Sequence, residues 1–228
     1  MRKITIWNGG IFVLMFLLLV FANIRNIDYI INSDFAAQIV LADIIKESNQ
    51  ILPKEWNFST EIHISFATFF SMFLLHFISS WHICYILSNI LTYIVLVLVG
   101  YFLCKILDIS FSWTLFVIAM FLAPLSYWNM YYYGIGNEYL TYFIYEIVYI
   151  ILWLQLKKCN KNIISISFVI WSLFLGAMGM RYALACFVPA LAVDGMDWLK
   201  RYSQQKLYMT KYSIILLNFP TSKVGEYA

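Results

Sequence analysis

An all-α, polytopic transmembrane helix bundle is the fold class this sequence predicts, and three observations predict it. Hydrophobic residues make up 63% of the 228 positions and charged residues 12%, against about 45–50% and about 25% in a soluble domain. Apolar runs near the ~20 residues that a spanning helix needs recur along the chain. The scarce charge is partitioned, with lysines and arginines gathered in alternate short connections, the pattern that orients membrane proteins. Mean hydropathy is +0.78, so lipid must solvate much of the surface. The aromatic share is 19%, with 17 Tyr and 8 Trp, residue types that favour the lipid–water boundary. A net charge of +3 spread over short loops is not a nucleic-acid signature. The four cysteines show no CxxC pair and no Cys/His cluster, so neither a disulfide framework nor a zinc site is expected.

The first span is expected at about 4–24. Arg2 and Lys3 precede it and no small-residue cleavage pattern follows, so it reads as a retained signal-anchor. Residues 25–62 differ in kind. Arg25, Lys46 and Lys54 stand there against Asp28, Asp34, Asp43, Glu47, Glu55 and Glu61. Phe35, Ile39, Ala42 and Ile45 recur at three- and four-residue spacing, with Val40, Leu41 and Ile44 widening the face and Asp43, Lys46 and Glu47 towards the other side, which predicts an amphipathic helix of about three turns. Asp34 stands at its start, where a carboxylate caps free N–H groups.

The run 64–80 holds His76, Thr68 and several serines. If it crossed the bilayer, every later loop would flip and Lys157, Lys158 and Lys161 would face outward. Laid along the interface, it leaves spans at about 83–104, 111–128, 139–156, 163–179 and 182–199. Arg2, Lys3, Lys105, the 157–161 lysines, Lys200, Arg201 and Lys206 then share the inner side, with Arg181 the exception. The expectation is six spans, both ends inside, with a transmembrane module over 1–206 and a large external loop over 25–82. Residues 207–228 begin like another span at Tyr212–Phe219 but break at Pro220. Asn57-Phe58-Ser59 matches the N-glycosylation pattern.

Several residues carry possible chemistry. Asp34, an external carboxylate at a helix start, suits a general base or a divalent-metal ligand, or a plain cap. Glu61 is a further carboxylate in the same loop, or the first-turn acid of the next helix. The second external loop, Tyr131-Tyr132-Tyr133-Gly134-Ile135-Gly136-Asn137-Glu138, offers Tyr132 and Tyr133 as a stacking platform or an aromatic belt, with Asn137 and Glu138 at the head of the next span. Glu146 falls inside that span, where a charge marks function by default or bonds between helices. Arg181 suits a phosphate at the outer surface, or snorkels to lipid. Pro189 predicts a kink in the last span.

The stretches Asn32-Ser33-Asp34-Phe35-Ala36-Ala37-Gln38, Pro53-Lys54-Glu55-Trp56-Asn57-Phe58-Ser59-Thr60-Glu61 and Gly179-Met180-Arg181-Tyr182 with Pro189 resemble the GT-C superfamily. Its members are polytopic glycosyltransferases of the protein O-mannosyltransferase-like and aminoarabinose-transferase-like kinds, and the likeness runs over about residues 1–200. The resemblance implies transfer of a sugar from a polyprenyl-phosphate donor to an acceptor on the extracytoplasmic face of a bacterial cell membrane. It makes Asp34 the catalytic carboxylate, directly or through a divalent ion, and Glu138 the second acidic position. Arg181 would balance charge on the leaving lipid phosphate, and Glu61, Tyr132, Tyr133 and Asn137 would line the substrate site. Members of the family commonly carry more spans, so the chain reads as the N-terminal portion of a larger and potentially inactive transferase. A transporter or flippase component and a non-catalytic membrane protein are the competing readings.

Overall fold

The computed structural model describes residues 2–30, 33–54, 56, 65–123, 126, 130–136, 138–159, 161–179, 183–200 and 202. Every regular element among them is helical. In chain order these are α1 (Arg2–Ile30), α2 (Ser33–Ser48), α3 (Phe66–Leu74), α4 (Trp81–Ile106) and α5 (Phe111–Leu122). A π-helical turn follows at Met130–Ile135, then α6 (Glu138–Lys158) and α7 (Asn162–Met178). A separate unit begins at Ala183, with a second π turn, Ala183–Phe187, running into helix over 188–200. Pro189 stands just past that turn; lacking an N–H, it cannot close a regular helical bond to the preceding turn, and the wider helix lies where such a defect is expected.

Among the described residues, three helices are long and apolar enough to cross a membrane: Lys3–Asp28, Trp81–Ile106 and Tyr139–Lys158. They coincide with the expected spans at 4–24, 83–104 and 139–156. The other helices are shorter. α5 has 12 residues, or ~18 Å at 1.5 Å per residue, and α7 has 17, or ~25 Å, against a hydrocarbon core of ~30 Å. Helix α5 therefore ends at Leu122, where the sequence suggested a run to 128. Helix α3 has nine residues, too few to cross. Ser65 caps its start, the hydroxyl accepting the Thr68 N–H.

The contacts fix how the helices run. At one end, the Asn8 amide of α1 donates to the Ser112 carbonyl (2.9 Å) and hydroxyl (3.1 Å), so the beginnings of α1 and α5 lie side by side. At the other end, the Asn23 amide donates to the Ile86 carbonyl (3.1 Å), which sets the end of α1 beside the start of α4. Lys158 donates to the Ile106 carbonyl and lies 3.4 Å from Asp108, joining the C-terminal ends of α6 and α4. Tyr145 meets Trp171 and Phe174 edge-on, and Tyr149 meets Phe168, so α7 runs back along α6. Thus α1, α5 and α7 point one way and α4 and α6 the other. Lys3, Lys105, Lys157, Lys158 and Lys161 gather at one end, here the lysine end. Helices α2 and α3 and the first π turn sit at the opposite, loop end.

The core follows from this arrangement. Leu19, Tyr93, Leu96, Ile118, Leu122, Leu140, Ile144 and Ile147 bury one another between α1, α4, α5 and α6. Phe121 meets Phe143 edge-to-face at 5.2 Å, a favourable aromatic geometry. Outward residues such as Val13, Leu17, Phe21, Leu98 and Ile170 stay exposed, as lipid-facing positions must.

Candidate functional site

Helix α2 is two-faced. Its residues Phe35, Gln38, Leu41, Ala42 and Ile45 are buried, while Val40 and Asp43 face outward. That is the amphipathic division read from the spacing, with two corrections: a glutamine sits on the buried face, and Val40 lies outside it, half exposed. Asn49, at φ 52°, ends the helix, in the left-handed conformation that Asn tolerates as a C-terminal stop. At the other end the helix begins at Ser33. Asp34 therefore lies within its first turn, not at the capping position.

The buried face of α2 rests on the π turn. The Phe35 and Tyr131 rings are 5.3 Å apart, and Phe35, Ile27, Ala67, Tyr85 and Ile135 form a second buried cluster. The approach is so close that a Cβ on Gly136 would collide with the Phe35 ring and the Tyr131 carbonyl, and a Cβ on Gly134 would press on Leu19. Glycine at 134 and 136 is what lets backbone meet side chain here. The Gly136 N–H donates to the Tyr131 carbonyl (2.8 Å), five residues back. Helix α6 follows within two residues, with Glu138 first in it. The first turns of α2 and α6, carrying Asp34 and Glu138, are thus brought to one place by the Phe35–Gly136 contact.

A π turn leaves carbonyls without helical partners, and irregular backbone near membrane depth is tolerated only where protein satisfies it. Helix α4 does so with three residues at four-residue spacing. Tyr93 Oη donates to the Gly134 carbonyl (2.8 Å), Asn89 Nδ2 to Ile135 (2.7 Å) and Tyr85 Oη to Gly136 (3.0 Å). The Gln38 amide adds a longer bond to Gly136 (3.4 Å), and its oxygen accepts the Ser65 hydroxyl (2.8 Å). The second amide hydrogen of Asn89 reaches Asn23 Oδ1 (3.0 Å). Thr141 accepts the Phe66 N–H (3.1 Å), and the Ser71 and Ser88 hydroxyls lie 2.8 Å apart. This polar layer ties α1, α2, α3, α4 and α6 to the turn. Neither carboxylates nor cations mark it in the sequence. The available signal was Tyr85-x3-Asn89-x3-Tyr93 with Asn23, polar groups inside apolar runs.

The remaining expected residues are placed as follows. Tyr132 and Tyr133 have their backbone in the π turn. Glu61, Asn137 and Arg181, and the Asn57-Phe58-Ser59 motif, lie outside the described residues. Asp28 faces His82, with Oδ1 3.4 Å from Nε2. That nitrogen is buried and makes no hydrogen bond, and Asp28 is 66% exposed, so the contact adds little. Glu146 is half-buried along α6. Among the described residues no three His, Cys, Asp or Glu side chains converge as a metal site.

Among the described residues, two recesses open at the loop end. One of about 450 Å³ lies between α3, α6 and α7, walled by Phe66, Phe69, Tyr145, Phe174 and Met178, with Leu52 over it. The other, of about 690 Å³, lies between α2 and the connection into α4. No protein-family model, curated protein or solved structure matches the chain.

Proposed function

We propose that this membrane protein is a glycosyltransferase of the GT-C kind. It moves a sugar from a polyprenyl phosphate to an acceptor hydroxyl on the extracytoplasmic side of the cell membrane. The observation that carries the reading is the closure of Phe35 on Gly136, which sets the first turns of α2 and α6 together at the loop end. The aromatic recess between α3, α6 and α7 supports it, being apolar as an isoprenoid chain requires. The five lysines at the opposite end support a cytoplasmic lysine end and N-terminus, with six crossings in which α5, α7 and the 183–200 helix join the three long ones.

In this reading Asp34 takes the proton of the acceptor hydroxyl as its oxygen bonds to the anomeric carbon. The bond from that carbon to the phosphate oxygen breaks, and the lipid phosphate leaves with the electron pair. Arg181 balances the charge that develops on it. Glu138 orients the acceptor, and Tyr132, Tyr133, Asn137 and Glu61 line the sugar.

The test is transfer of radiolabelled sugar from a polyprenyl-phosphate donor in membranes with and without the chain. Label reaching an acceptor only when the chain is present is the expected result; equal transfer without it overturns the reading. Glu146, half-buried within α6, favours the alternative of a transport component. That alternative requires donor-independent movement of solute or lipid, abolished by Glu146→Gln.

A further inference from the structure

We infer that the larger recess, between α2 and the 75–81 connection, seats a zwitterionic phospholipid whose headgroup carries a primary ammonium. Its lining joins apolar side chains to one charge of each sign: Ile39, Val40, Ile78 and Trp81 beside Asp43 and Lys46. The two charges lie one helical turn apart on α2, with Lys46 Nζ 3.5 Å from Asp43 Oδ1. At 29% and 51% side-chain exposure the pair is open to a ligand. Lys46 has three N–H donors, and the carboxylate has acceptor sites to spare.

Charge complementarity chooses the occupant. A phosphate fits Lys46, and an ammonium on the same headgroup fits Asp43, within one headgroup's reach. An anionic headgroup without the ammonium meets Asp43 with repulsion. A quaternary ammonium has the charge but no N–H to donate. The apolar part of the recess continues onto exposed Val40, Phe77 and Trp81, a surface suited to an acyl chain. Trp81 opens the α4 span, the level at which an indole marks the headgroup boundary. The inference does not depend on the proposed sugar chemistry.

The test uses the full chain, purified in mixed micelles containing equal amounts of phosphatidylethanolamine, phosphatidylcholine and phosphatidylglycerol, with retained lipid read by native mass spectrometry. Wild type is expected to retain phosphatidylethanolamine about two- to fivefold over phosphatidylglycerol, the range an exposed charge pair supplies. Asp43→Asn removes that preference and Asp43→Lys reverses it. Lys46→Gln lowers retention of all three lipids, as does Val40→Trp, which fills the recess. Thermal melting identifies variants that fold, and Asp43→Asn, nearly isosteric, keeps the test open should Asp43→Lys fail. Equal retention of the lipids by wild type, or a preference that Asp43→Asn and Val40→Trp leave unchanged, overturns the inference.

Discussion

Asn89 of α4 holds the backbone carbonyl of Ile135 at 2.7 Å while its other amide hydrogen reaches Asn23 of α1 at 3.0 Å. One side chain thus spends both donors fixing the π turn between two spans. All three residues are buried, so water cannot replace either bond. Asn89→Leu strands a carbonyl and an amide oxygen, each costing about 1–3 kcal/mol. A large fall in melting temperature in detergent is the expected outcome. Asn89→Asp, which sets a carboxylate against two acceptors, is expected to be worse.

The two tyrosines of the same row are not equivalent. Gly134 receives its bond from Tyr93, whereas Gly136 receives both Tyr85 and Gln38. Tyr93→Phe is therefore expected to cost about 1–2 kcal/mol and Tyr85→Phe less. Chemical denaturation of the two variants side by side checks the order.

Gly136→Ala forces a Cβ into the Phe35 ring. Overpacking of this kind costs about 1–3 kcal/mol. Phe35→Leu makes room, so the double variant should lose less than the two single losses combined. A double-mutant cycle on melting free energies reads the coupling, and strict additivity would deny the contact.

Much of the helical frame was legible in the sequence, because lipid-facing helices need long apolar runs and nothing else produces them. The three long spans and the two-faced α2 follow from run length and from spacing at Phe35, Ile39, Ala42 and Ile45. Helix ends were less legible. The apolar residues continue past Leu122, yet α5 ends there with Ala123 extended, as the residue before a proline prefers, and hydropathy does not register that stop. The polar layer was not legible for a different reason. Asn23, Gln38, Asn89 and Tyr93 each look like an interruption of an apolar pattern, and only the folded chain shows that they meet one irregular stretch of backbone. Asp34 and Glu138 were singled out from separate loops 104 positions apart, and no local pattern links those loops. The Gly134–Gly136 turn does.

The proposed orientation has its own check. Cys159 is exposed beside the lysine end, while Cys84, Cys104 and Cys186 are buried. A Cys introduced at Gln50, exposed at the loop end, should react with an impermeant maleimide added outside intact cells. Cys159 should react only after the membrane is opened. The reverse pattern would invert the topology.

The most direct measurement compares two changes on one helix. Asp34→Asn and Glu47→Gln each remove one carboxylate charge from α2, the first in its opening turn and the second on its exposed face. Both are assayed for sugar transfer from a polyprenyl-phosphate donor in membranes holding equal amounts of chain. The expected result is a fall of about 10²–10⁴-fold for Asp34→Asn, the scale of a lost general base, and wild-type transfer for Glu47→Gln. Undiminished transfer by Asp34→Asn would contradict the account.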